Sequence, residues 1–246
     1  MRAILYVGHG TRVREGERQA IEFIERVKSQ MDEPIQEIAF LEISSPSIEE
    51  GVATCVAKGA TEIIVMPLLL LTAQHATTDL PEILAEVGPK YPTVTFTLGQ
   101  PIGVTRTMID AVIEQLSTQP VPKNAQLIIV GRGSSEPAIQ QEFAEIASRL
   151  KLRTAIRSID IAFLYGLGPK IEDVLALHQE RKEPVVLIPY LLFSGLLMKR
   201  LERLQQTEKR EVILTKRLGE VPSTARAFKE AVEKKMQSIE LNGVSI

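Results

Sequence analysis

A single cysteine, Cys55, stands in 246 residues, so no intramolecular disulfide can form and thiolate metal clusters are excluded. A reducing, cytoplasmic setting is therefore expected. An excess of one charge is missing too. The 29 Lys and Arg against 31 Asp and Glu leave a formal charge of −2, without the basic face that a nucleic-acid partner requires. No apolar run approaches the roughly 18 residues of a membrane helix. The nearest, Ile63 to Ala73, is interrupted by Pro67 and Thr72, so no membrane partner is expected. The start, MRAILYVGHG, offers only Ala3 to Val7 as an apolar stretch before Gly-His-Gly, so no export signal is expected there. Low-complexity sequence is lacking, apart from the short polar tail Leu241 to Ile246. Histidine is scarce, with His9, His75 and His178 only.

What the chain does have is an internal repeat. ILYVGHGTR at 4–12 matches LIIVGRGSS at 127–135, an offset of 123. The same offset carries Phe40-Leu41-Glu42, with Pro46, onto Phe163-Leu164-Tyr165, with Pro169. An offset of 122 carries Met66 to Ala73 onto Ile188 to Gly195. The scaffold residues repeat and the ligand-type residues do not: His9 becomes Arg132, Glu42 becomes Tyr165, His75 becomes Leu197. One copy thus reads as a site and the other as its degenerate partner. Two domains of ordinary size are expected, 1–120 carrying the site and 121–246 forming its other wall, with a linker at 117–125.

Strand-like apolar runs fall at 3–7, 36–41, 62–66, 93–98, 126–130, 155–163, 184–188 and 211–215. Helical spacing fills about 14–31, 46–58, 78–88 and 105–117, then 136–150, 169–180, 196–207 and 222–237. Ser45-Pro46 followed by Glu49 and Glu50 predicts a helix start with Ser45 as cap. Cys55, in a helical pattern, reads as a buried apolar residue. The alternation predicts an α/β protein of two lobes, each a four-stranded parallel sheet with helices on both faces.

Ligands of open parallel sheets bind beyond the carboxyl ends of strands. His9 follows the first strand, Glu42 the second, and His75 lies beyond the third, after Pro67. If those strands are neighbours, two imidazoles and a carboxylate converge, a set that suits Fe²⁺, Co²⁺ or Ni²⁺. Each also has a structural reading: His9 as a turn residue between glycines, Glu42 as a helix cap, His75 as a helix-start residue. His178, late in a polar helix, reads as surface. Gly8-x-Gly10 and Gly131-x-Gly133 lack the third glycine of a dinucleotide fingerprint, since Val13 and Glu136 stand in its place. Their backbone N–H groups still suit carboxylates, and Ser134 and Ser135 could add hydroxyls, although each taken singly reads first as a helix cap. The basic stretch Lys199, Arg200, Arg203, Lys209 and Arg210 reads as a solvated face. The apolar segments 67–73 and 189–198 suit either core packing or the walls of a flat ligand site, and so do Tyr165, Tyr190 and Phe193.

LYVGHGTR at 5–12, FLE…PSI at 40–48 and PLLLLTAQHATTDLP at 67–81 resemble the class II chelatases, as do VGRGSS at 130–135 and PYLLFSGLLM at 189–198. The likeness is to the long, two-lobed members that act in sirohaem biosynthesis, and it weakens after about residue 215. It implies two flavodoxin-like lobes and insertion of a divalent metal into sirohydrochlorin in the cleft between them. Iron is the expected ion, with cobalt or nickel as alternatives. His9 and His75 carry over as active-site histidines and Glu42 as the nearby carboxylate. Gly10, Thr11, Arg12, Arg132, Gly133, Ser134 and Ser135 are the expected contacts to the substrate carboxylates. No permanent cofactor is implied, since the metal is a substrate, and a monomer or weak homo-oligomer is expected. A non-catalytic two-lobed tetrapyrrole- or metal-binding protein is the alternative of another class. A metal-dependent hydrolase fits less well, because such sites show more carboxylates and tighter motif spacing.

Overall fold

The computed structural model describes residues 1–72, 78–156, 158–177, 180 and 182–243. Strands β1 (Arg2–Gly8), β2 (Ile35–Phe40), β3 (Glu62–Pro67) and β4 (Thr95–Leu98) form a parallel sheet in the order β2-β1-β3-β4. Strands β5 (Gln126–Gly131), β6 (Asp160–Phe163), β7 (Val185–Pro189) and β8 (Val212–Leu214) form a second in the order β6-β5-β7-β8. The helices are α1 (Arg14–Lys28), α2 (Ile48–Ala57), α3 (Leu80–Val87), α4 (Arg106–Ser117), α5 (Ala138–Arg153), α6 (Ile171–Ala176), α7 (Leu196–Thr207) and α8 (Pro222–Gly243). The expected two-sheet α/β plan is the one found, and the shared strand order agrees with internal duplication.

Strand β1 is buried on both faces, as parallel strands are. Ala3, Leu5 and Val7 pack with Ile48, Val52 and Cys55 of α2 and with Leu80 and Val87 of α3. Tyr6, pointing the other way, meets Phe228 of α8 at 6.0 Å between ring centroids, and Phe228 meets Phe23 of α1 at 6.1 Å. In the second sheet Ile128 and Val130 pack with Ile171 and Val174 of α6 and with Met198 and Leu201 of α7.

Packing divides the chain differently from the boundary expected near residue 120. One compact unit holds Met1–Gly103 together with the chain from Ala225 onward, and the other holds Val104–Thr224. Helix α4 therefore belongs with the second sheet. Its fully buried Gln115 donates its side-chain amide to the carbonyls of Pro189, at 2.8 Å, and Lys216. Helix α8 belongs with the first sheet through Phe228. Helical periodicity shows that a helix has an apolar face but not which sheet that face will cover. The break expected at 117–125 is a loop over 118–125, but it does not separate the units.

Several element ends also differ, two of them by enough to matter. The run 155–163 contributes a strand only from Asp160, where its ladder with Ile128 begins. Helix α2 starts at Ile48, not at Pro46, and its cap is Ser47: the Ser47 hydroxyl accepts from the Glu50 N–H while the Glu50 carboxylate accepts from the Ser47 N–H. This reciprocal box is the Ser-x-x-Glu signature, and it outcompetes a single hydroxyl at Ser45. The Ser45–Pro46 peptide is cis.

Cys55 is fully buried, and desolvation beside Glu37 pushes its thiol up to about 12. A thiol so held is neither a nucleophile nor a ligand near neutral pH. Iodoacetamide should leave the folded protein unmodified at neutral pH and add one carbamidomethyl group in denaturant, read by mass spectrometry. Rapid labelling of the folded protein would show the thiol to be accessible. Among the described residues, no helix is long and apolar enough to cross a membrane.

Candidate active site at the carboxyl ends of the first sheet

The order β2-β1-β3 puts three strand exits side by side, and the order reverses between β1 and β3. Open α/β sheets bind ligands at such a reversal. His9 leaves the end of β1 there, lining a cleft with Val7, Gly8, Leu41, Pro67, Leu69 and Leu80.

The neighbouring turn is clamped to it. The Leu41 N–H donates to the Gly8 carbonyl at 2.8 Å and the Glu42 N–H to the His9 carbonyl at 3.1 Å. Gly10 completes the clamp with φ +92°, and a Cβ built on it falls 1.8 Å from the Glu42 carbonyl oxygen. Only glycine permits that approach and that backbone. The result brings His9 Nε2 to 3.1 Å from Glu42 Oε1.

The two side chains are 36% and 53% exposed, so as an ion pair they add only about 0–1 kcal/mol of stability. The 3.1 Å spacing is that of an ordinary hydrogen bond, and it is also close to the separation of two ligands on one ion. Imidazole and carboxylate ligands stand about 2.1 Å from a first-row ion, so two at right angles are about 3 Å apart. An ion reaching this pair from solvent finds two donors already near that separation.

His75 lies outside the described residues. Among the described residues no group of three or more His, Cys, Asp or Glu could hold a metal, so the observed part of the expected set is the pair His9 and Glu42.

The CbiX family model matches residues 3–119 and 126–235. The chain belongs to the CbiX family. It is 42% identical to the sirohydrochlorin ferrochelatase of Priestia megaterium over 225 residues, 89% of this chain and 85% of that protein. It is 32% identical to the sirohydrochlorin cobaltochelatase of the same organism over 249 residues, 96% and 81% of the two chains. The solved structure of SirB from Bacillus subtilis with Fe³⁺ superposes with a TM-score of 0.88 at 37% identity, covering 97% of each chain.

In this CbiX chain the second copy keeps the clamp without the ligands. The Leu164 N–H donates to Gly131, the Tyr165 N–H to Arg132, and Gly133, at φ +87°, presses against the Tyr165 carbonyl. Tyr165 is exposed, with the Arg200 guanidinium 5.0 Å from its ring centroid. Arg200 is itself tied to Glu172 at 2.6 Å and to the Leu164 carbonyl at 2.7 Å. Of the aromatics considered as ligand walls, Tyr190 is buried core against Phe143, whereas Phe193 is half-buried.

Thr11 and Ser134 do equivalent work in the two CbiX repeats. The Thr11 hydroxyl accepts from the Val13 N–H at 3.1 Å, and the Ser134 hydroxyl from the Glu136 N–H at 3.0 Å. Both therefore close their turns. Arg12, Arg132 and Ser135 are exposed, and neither arginine makes a side-chain hydrogen bond or ion pair among the described residues. Sequence reasoning missed the bracing by Ser44. Its Oγ accepts from the Thr11 N–H at 3.2 Å and donates to Glu17, tying the Glu42 turn to the start of α1. It also missed Ile43, whose φ of +67° costs about 1–2 kcal/mol for a residue with a side chain.

Proposed function

We propose that this protein inserts Fe²⁺ into sirohydrochlorin, giving sirohaem. The metal takes the place of two pyrrole protons, so one ion enters and two protons leave. The His9–Glu42 pair, 3.1 Å apart at the strand reversal, carries this reading. His9 and Glu42 receive the ion from water, with His75 as the second imidazole. Once the ion has passed to the macrocycle and left them, the neutral imidazole and the carboxylate are free to accept the departing protons. Holding the ion where the macrocycle docks removes the entropic cost of bringing the two together. The higher identity to the ferrochelatase than to the cobaltochelatase favours iron. The cobaltochelatase likeness over most of the chain makes Co²⁺ the second candidate, and Ni²⁺ a third. The metal is substrate, and no permanent cofactor is invoked.

Substrate carboxylates are assigned to the two glycine loops. Gly10, Thr11, Gly133, Ser134 and Ser135 offer backbone N–H groups and hydroxyls, and Arg12 and Arg132 offer guanidinium groups. Anaerobic mixing with sirohydrochlorin and Fe²⁺, Co²⁺ or Ni²⁺, followed by absorption, tests the reading. Metallation faster than the protein-free control, fastest with Fe²⁺, is expected. Binding of tetrapyrrole without acceleration by any metal would instead identify a non-catalytic binder.

Arg132 replaces His9 in the second copy, and a permanently charged guanidinium suits a carboxylate better than a cation. Arg132→Ala should weaken sirohydrochlorin binding by about 1–3 kcal/mol, leaving affinity for free Co²⁺ nearly unchanged. Separate titrations by fluorescence quenching and calorimetry check this. A selective loss of Co²⁺ affinity would reverse the assignment.

A further inference from the structure

Among the described residues, Ile43 is the one residue other than glycine with a positive φ, +67°, and its side chain is 57% exposed. Both its neighbours are fixed. The Glu42 N–H donates to the His9 carbonyl, and the Ser44 N–H donates to the Glu42 carbonyl at 2.7 Å. The second bond closes a three-residue turn with Ile43 at its centre, a strained form when the central φ is positive. A β-branched side chain is among the least suited to this backbone. The repeat supplies an internal comparison. At the matching place, 123 residues on, stands Gly166 with φ +68°. There the Leu167 N–H donates to the Ser134 carbonyl, and a Cβ on residue 166 would fall 2.3 Å from that oxygen, so what the two places share is the positive φ, held by glycine in the second copy and by a β-branched residue in the first.

A strained side chain that projects half into water adds little to the free protein. Its position is informative: it follows directly the carboxylate that faces His9. We propose that Ile43 is a substrate-contacting residue. Its aliphatic branch meets the apolar face of the tetrapyrrole and sets the ring's position against the ion held by His9 and Glu42. This rests on the metallation reading above. The substrate chemistry fits, because a conjugated macrocycle is apolar on its faces and charged only at its periphery. A protein that touched only the carboxylates would hold the ring's edge and leave its height above the ion undefined.

Four full-length proteins test the proposal: wild type, Ile43→Gly, Ile43→Asn and Ile43→Leu. Glycine and asparagine tolerate the left-handed backbone but lack the apolar branch, and leucine keeps the branch. Thermal melting, Co²⁺ affinity without tetrapyrrole, and sirohydrochlorin Kd and KM are measured for each. Ile43→Gly should melt no lower than wild type. Gly and Asn should weaken sirohydrochlorin about tenfold in Kd and KM with Co²⁺ affinity unchanged, and Leu should stay close to wild type. Equal sirohydrochlorin affinity in all four overturns the contact. So does a loss of Co²⁺ affinity in Gly and Asn, which would make Ile43 act through Glu42, and so does failure of Leu along with the other two. Wild type that binds sirohydrochlorin without metallating it defeats the proposed function while leaving the contact standing.

Discussion

Replacing His9 with alanine should lower the initial rate of iron insertion about a hundredfold or more at saturating metal. The circular-dichroism spectrum and melting temperature should barely change. His9 is one of the three ligand-type residues that the first copy has and the second lacks, and it stands at the exit of β1 against Glu42. A half-exposed ion pair contributes too little to stability for its loss to unfold the chain. The expected signature is therefore a dead but folded enzyme. Near-normal rates in a folded His9→Ala protein would remove the imidazole from the chemistry.

Gly10→Ala should act by a different route. The new methyl carbon would sit 1.8 Å from the Glu42 carbonyl oxygen on a backbone with φ +92°, so the loop and the Glu42 turn must separate. The expected cost is about 2–3 kcal/mol of stability. Metal affinity should fall as well, because the 3.1 Å approach of His9 to Glu42 depends on the clamp. Gly133→Ala provides the control. Its methyl would meet the Tyr165 carbonyl at 1.9 Å, so it should destabilise to a similar extent while the metal affinity of the folded protein persists. Urea unfolding and Co²⁺ titration of both variants separate the two effects. Equal metal loss in both would mean that the site depends on the second copy.

The alternation of strands and helices was legible because buried parallel strands read as short apolar runs and covering helices keep their own period. Element ends and partners were less so. Ser45-Pro46 looked like a helix start, yet Ser47 caps α2 through Glu50, a signal present two residues later. The exchange of α4 and α8 between the two units was invisible, because what Gln115 and Phe228 meet is set by tertiary packing. His9 and Glu42 were legible from their places at strand exits, and the strand order supplied the adjacency on which their meeting depended. The role of Gly10 was only half legible: Gly-x-Gly marks a tight turn but does not say what the missing Cβ would strike. Ile43 could not be found at all. Isoleucine is a strand and core residue by composition, and its positive φ sits in a turn closed by the Ser44 N–H on the Glu42 carbonyl and held by the Glu42 N–H on the distant His9 carbonyl. His75 lies outside the described residues, so its place beside His9 stands as a proposal.

Titration of Co²⁺ into the tetrapyrrole-free protein, with stoichiometry read by calorimetry, tests most directly whether one copy alone carries the metal chemistry. Wild type should bind one ion per chain, His9→Ala/Glu42→Ala should lose it, and Arg132→Ala/Tyr165→Ala should retain it at close to wild-type affinity. Two ions per chain, or one ion that survives loss of His9 and Glu42 and disappears with Arg132 and Tyr165, would contradict this.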